Sequence, residues 1–209
     1  MVIKRIIKFV IKPVLKILDL DSLYCLRKSG YLKKVGWFRS DKEQLPIENN
    51  GCPIPWMTYP SISFLEKRIN KEMIVFEYGC GNSTLWLANR VKHVISCEHD
   101  KQWYEEMKKM IPSNVDLFHA ELHIDDSYAK KITEYKRKFD IVILYGRDRV
   151  NCAKNALHSL KEGGVIVWDN SDRTSYKEGF EYLFEKGFKK IDFEGMGPVN
   201  NYSWCTSIF

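Results

Sequence analysis

From Pro60 to the end of the chain, short runs rich in Val, Ile and Phe alternate with longer segments whose apolar residues recur at helical spacing, and this restricts the fold more than any other feature. MIVFEYG, HVISCEH, VDLFHA, FDIVILYG and GGVIVWDN read as strands. STLWLANRV, KQWYEEMKKMI, SYAKKITEYKRK and RVNCAKNALHSLK read as the helices between them, with SISFLEKRI before the first strand and SYKEGFEYLFEKG after the fifth. Near-continuous apolar strands separated by helices imply a parallel sheet covered on both faces. No helix separates the closing strands FKKIDFEG and YSWCTSIF, so the last strand is expected to run antiparallel at one edge. The expectation is an α/β fold built on a Rossmann-like, mostly parallel seven-stranded sheet, and 209 residues suffice for one such core.

The first strand leads into VFEYGCGNST. Gly79 and Gly81 let the backbone turn tightly and pass close to a ligand, and Asn82, Ser83 or Thr84 can cap the helix that follows. Glu77 ends the strand beside that crevice. The second strand ends in Glu98, nineteen residues after Gly79, where a carboxylate can accept the hydroxyls of a ribose. A dinucleotide site would want a third glycine and a resting place for pyrophosphate; GCGNST lacks the glycine, and Glu77 would repel phosphate. A nucleoside carrying a positive charge and an amino group, such as S-adenosylmethionine, suits the residues better. Cys80 reads as a small turn filler, because no histidine is placed nearby in sequence to activate it.

The linked motifs FEYGCGNSTLWLA, CEHD and VIVWDN, followed by the closing hairpin, resemble class I S-adenosylmethionine-dependent methyltransferases over residues from about Trp56 to Phe209. The resemblance implies that Glu77, Gly79 and Gly81 line the methionine part of the cofactor and that Glu98 holds the ribose. It places His99 and the loop Ala120–Glu121 near adenine, and counts Cys80, Asn82, Ser83 and Tyr145 among the cofactor's neighbours.

In such a sheet the reacting groups sit beyond the carboxyl ends of the central strands. The fourth strand ends in Tyr145, Gly146, Arg147, Asp148 and Arg149, and the fifth in Trp168, Asp169, Asn170, Ser171, Asp172 and Arg173. Methylating a hydroxyl requires removing its proton, so Asp148 and Asp169 are the candidate bases, expected to meet across the crevice. Asp169–Asn170 also resembles the metal-binding pair of catechol-type O-methyltransferases, which would imply Mg²⁺. That family has a further Asp at the end of the fourth strand, where this chain has Tyr145, so a metal-free carboxylate and a metal-assisted site both stay open. A third reading of the pair is an Asx turn. The arginines read either as site residues or as fold-stabilising ion pairs. Trp56, Tyr59, Tyr145, Trp168, Tyr202 and Trp204 suit the apolar face of a sugar, or the core. The segments WDNSDR and NYSWCTSIF are similar to those of sugar methyltransferases, including ones acting on rhamnose, which implies O-methylation of a glycan hydroxyl. The rivals are another small or lipid-linked acceptor, a polyamine synthase, and a non-catalytic membrane-associated cofactor-binding module.

Charge divides the chain. Residues 1–50 hold 11 Lys/Arg against 5 Asp/Glu and residues 51–209 hold 22 against 22, so the whole excess of +6 lies in the first quarter. A balanced main domain argues against gripping nucleic acid, where neutralised phosphates supply most of the affinity. The division expected is a basic helical extension and linker over 1–50 and the methyltransferase domain over 51–209. In MVIKRIIKFVIKPVLKILDL, Lys4, Lys8, Lys12 and Lys16 share one helical face, which suits either a helix lying on a membrane or one docked on this domain or on a second copy. The six cysteines show neither zinc spacing nor disulfide density, which points to reduced thiols and the cytoplasm.

Overall fold

The computed structural model describes residues 12–122 and 126–209. Four short helices open the described chain: α1 (Lys12–Ile17), α2 (Asp21–Lys28), α3 (Tyr31–Lys34) and α4 (Trp37–Glu43). The alternation follows: α5 (Tyr59–Glu66), β1 (Ile74–Tyr78), α6 (Asn82–Ala88), β2 (His93–Glu98), α7 (Lys101–Met107), β3 (Val115–His119), α8 (Ser127–Lys130) and β4 (Phe139–Leu144). The chain ends with α9 (Arg149–Ala156), β5 (Leu160–Asp169), α10 (Lys177–Glu185), β6 (Ile191–Gly195) and β7 (Trp204–Ile208).

The seven strands form one sheet in the order β3-β2-β1-β4-β5-β7-β6. Pairs β1–β2, β1–β4, β2–β3 and β4–β5 are parallel, while β7 is antiparallel to both β5 and β6. The order reverses at β1, which opens a crevice beyond its carboxyl end. Strand alternation splits the core in two. Phe76, Tyr78, Ile95, Phe139 and Trp168 pack on one face with α9 and Leu183 of α10. Val75, Val94, Ile143 and Val167 pack on the other with Trp86 of α6 and Leu65 of α5.

Two helices stop earlier than their patterns predict. The helix expected over SYAKKITEYKRK gives way to a 3₁₀ turn at Lys131–Glu134, and Tyr135 then turns extended to lay its ring 5.4 Å from that of Phe139. The helix expected to reach Lys161 ends at Ala156, and β5 begins at Leu160. The buried Ser159 explains this: its hydroxyl donates to the Ile132 carbonyl at 2.7 Å, and its own carbonyl accepts from the amides of Lys138 and Phe139, which draws the chain into register with β4.

The end of the expected linker and the residues after it pack against the main domain, with Ile54 and Met57 in the core. Asn82 Nδ2 donates to the Pro46 carbonyl at 2.8 Å, and Trp37 Nε1 donates to the Asn200 carbonyl at 2.8 Å. Of the N-terminal segment singled out in the sequence, residues 1–11 lie outside the described residues. Among the described residues no helix is long and apolar enough to cross a membrane.

Candidate active site

A cavity of about 630 Å³ opens beyond the carboxyl ends of β1, β2, β4 and β5, within the range of small-molecule sites. Its floor is the turn Gly79–Ser83. Gly79 has φ +98°, a left-handed conformation that side chains resist, and a Cβ there would stand 3.4 Å from the Gly146 amide. Gly81 has φ 161°, extended backbone open to any residue, and its missing side chain serves only to leave the cavity clear. Thr84 Oγ1 accepts from the Gly81 amide at 3.0 Å and fixes the start of α6.

Glu98 closes one side of the cavity. Its Oε1 accepts from the amides of His99 and Asp100, each at 2.8 Å, and its Oε2 accepts from the Cys80 amide at 3.1 Å. A carboxylate offers about four acceptor sites, so one remains, on Oε2. Trp103 Nε1 donates to the Cys80 carbonyl at 2.8 Å, which lays the indole along the glycine turn and in the cavity wall. Burial pushes the Cys80 thiol up, far from a reactive thiolate. Tyr145 lines the cavity, while its hydroxyl is buried in the core beneath without a hydrogen-bond partner.

Asp169 lies opposite Glu98 in the cavity wall, only 5% exposed. Its Oδ1 accepts from Trp204 Nε1 at 2.9 Å and from Thr206 Oγ1 at 2.8 Å, both on β7. Burial raises its pKa, against the lowering effects of the Trp204 bond, the Arg149 charge and the Thr206 bond. The buried Arg149 ties the ends of β4 and β5 together. It donates to the carbonyls of Tyr145, Gly146 and Asp169, and Nη1 reaches Asn170 Oδ1 at 3.1 Å. Because Arg149 binds the main-chain oxygen of Asp169, the carboxylate is not consumed in an ion pair.

An oxygen-rich divalent site would need Asp169, Asn170 and further oxygen ligands. The residues do not fit one. Asp169 Oδ1 is already doubly bonded, Asn170 Oδ1 faces a guanidinium, and Tyr145 stands where a third carboxylate would be needed. Among the described residues no three His, Cys, Asp or Glu side chains converge as a ligand set.

Of the residues singled out in the sequence, the cavity brings together Gly79, Cys80, Gly81, Asn82, Ser83, Glu98, Tyr145, Asp169 and Asn170. It leaves others outside its wall. Strand parity turns Glu77 onto the α6 face of β1, fully buried, where its Oε2 accepts from Thr84 at 2.6 Å and Ser96 at 3.1 Å. His99 follows the strand end with its Nδ1 2.8 Å from Glu98 Oε1 and its ring against Tyr128, centroids 5.7 Å apart, but it does not line the cavity; Ala120 and Glu121 line a separate hollow beside α8. Asp148 does not meet Asp169. The chain leaves β4 through Gly146 and Arg147, so Asp148 becomes the exposed cap of α9, held by Asn151 Nδ2 at 2.9 Å. Among the aromatics, Trp56, Tyr145, Tyr202 and Trp204 line the cavity, whereas Tyr59 and Trp168 belong to the core. Trp103 went unread, although its place just after the Asp100 cap of the helix following Glu98 was visible; Gln44–Pro46 and Asn200 carry no local signal.

No protein-family model matches the sequence, and no curated protein matches it. Among solved structures the chain is similar to precorrin-6y C5,15-methyltransferase from Geobacter metallireducens, at 15% identity and a TM-score of 0.58 over 81% of this chain and 95% of that one. It is similar to precorrin 8w decarboxylase from Methanobacterium thermoautotrophicum at 18% identity and TM-score 0.56, covering 79% and 96%. A TehB-like SAM-dependent methyltransferase from Corynebacterium glutamicum follows at 15% identity and TM-score 0.51, covering 70% and 84%. These likenesses establish the fold, the Rossmann-like sheet of the class I methyltransferases.

Proposed function

We propose that this protein binds S-adenosylmethionine in the cavity over the glycine turn and transfers its methyl group to a hydroxyl of a small acceptor, a sugar ring of a glycan such as rhamnose. The observation that carries the reading is Asp169: a buried carboxylate of raised pKa, with one oxygen fixed by β7 and the other left for a substrate, lining the same cavity as the nucleoside-type residues. Bound there, the cofactor would supply an electrophilic methyl group on a sulfonium. Glu98 would take a ribose hydroxyl on the free site of Oε2. Asp169 would accept the acceptor's hydroxyl proton as the oxygen forms its new bond to carbon. Trp56 and Tyr202, 45% and 60% exposed at the cavity, offer ring faces to a sugar. With all six cysteines free, we place the reaction in the reducing cytoplasm.

Incubation with methyl-labelled cofactor and a panel of deoxysugars, nucleotide sugars and glycans is the test. Labelled O-methyl sugar supports the reading; cofactor binding without transfer to any hydroxyl acceptor contradicts it. Glu98→Gln keeps an acceptor for the backbone amides but removes the charge, and is expected to weaken cofactor binding by about 2 kcal/mol, roughly a thirtyfold rise in Kd by calorimetry. An unchanged Kd would remove Glu98 from the site. Because Arg149 faces the Asp169–Asn170 pair, EDTA is expected to leave turnover unchanged. Loss on chelation with recovery on adding Mg²⁺ would show that a cation displaces the guanidinium.

A further inference from the structure

The first three helices of the described chain present apolar side chains to solvent. Seven of the fourteen exposed large apolar side chains among the described residues fall between Val14 and Tyr31. Ile17, Leu18, Leu20, Leu23 and Leu26 are 82%, 59%, 42%, 60% and 37% exposed, and neither α2 nor α3 contains a buried residue. Isolated exposed leucines are ordinary, but a run of this density on successive helices marks a contact surface. The charge around it is one-sided. Residues 1–34 contain nine Lys/Arg against two Asp/Glu, and Lys16, Arg27, Lys28, Lys33 and Lys34 are all exposed beside the apolar side chains.

A second copy of this chain would bring the same excess of positive charge against itself, since a self-complementary interface pairs each patch with its own kind. A surface of anionic lipid headgroups over acyl chains matches both components: it neutralises the lysines and arginines and receives the leucines. The lysine spacing of residues 1–16 continues the same composition toward the start of the chain. We infer that the helices of residues 12–34 form a docking face for an anionic membrane surface, lying in the plane of the interface. The charge-balanced catalytic domain takes no part in this contact, so the inference stands apart from the proposed methyl transfer.

Co-sedimentation of the full chain with vesicles tests it. The protein is expected to pellet with phosphatidylcholine vesicles containing phosphatidylglycerol, to stay in solution with phosphatidylcholine alone, and to be released by high salt. Leu23→Ser with Leu26→Ser, and separately Lys16→Glu with Lys28→Glu, should each weaken binding roughly tenfold or more, without lowering the melting temperature, because these side chains are exposed. Failure to pellet with either vesicle, or equal pelleting with both, overturns the inference. So does a dimer by sedimentation equilibrium that the leucine variant dissolves, since the apolar face would then be covered by a second copy.

Discussion

Asp169→Asn is expected to slow methyl transfer by roughly 10²- to 10⁴-fold while leaving cofactor affinity close to that of the unaltered protein. The amide keeps the shape of the carboxylate and can still accept from Trp204 and Thr206 through one oxygen, so the junction of β5 and β7 should survive. What it loses is the ability to take a proton. Burial, the largest influence on Asp169, raises its pKa, so the carboxylate is a stronger base than an exposed aspartate. Turnover of the unaltered protein should therefore climb with pH through that raised value, and the climb should disappear in the Asn variant. Asp148→Asn is the control: exposed and bonded to Asn151 outside the cavity wall, it should leave kcat unchanged. Stopped assays giving kcat, together with calorimetry giving cofactor Kd, separate a proton-transfer defect from a binding defect. Full activity of Asp169→Asn would mean that another group removes the proton.

The two aspartates show what local sequence could and could not place. Both follow an apolar strand and both have arginines nearby, so their patterns look alike. The difference lies in what packs against each strand end. β7 returns antiparallel beside β5 and brings Trp204 and Thr206 onto Asp169, whereas Asp148 begins a helix that carries it to solvent. The partners of Asp169 lie 35 and 37 residues away in sequence, beyond the reach of any motif. Gly79, Gly81 and Glu98 were legible because their work is local: a left-handed turn, a clear approach, and a strand-end carboxylate nineteen residues on. The sheet was legible for a similar reason, since each buried parallel strand announces itself within a few residues. Arg149 was visible only as a charge; its contacts with carbonyls at the ends of two neighbouring strands, and so its bearing on the metal question, come from the β4–β5 pairing.

Glu77 yields the second large effect, on stability rather than rate. It is fully buried beneath the glycine turn, Oε1 has no partner, and burial pushes its pKa from 4.5 up to about 7, against the hydroxyls of Ser83, Thr84 and Ser96. In the unfolded chain the carboxyl titrates near its ordinary value. Between those two values the folded protein therefore holds a proton that the unfolded chain has released, and stability must fall as pH rises through that window. Below about pH 4.5 the effect is absent; above about pH 7 it is complete, at about 3 kcal/mol from 1.36 kcal/mol per unit. Gln cannot ionise, and its carbonyl can still accept from Thr84 and Ser96. Glu77→Gln should thus match the unaltered protein near pH 4 and exceed its unfolding free energy by about 3 kcal/mol at pH 8, measured by urea denaturation at both values. The ordering also bears on the cavity above. A neutral Glu77 at pH 6 leaves the glycine turn with the charge of Glu98 alone, so the variant should retain cofactor affinity there while Glu98→Gln does not. Parallel pH–stability curves for Glu77→Gln and the unaltered protein would show that Glu77 is ionised in the fold throughout, and a compensating cation would then have to be sought beside Oε1.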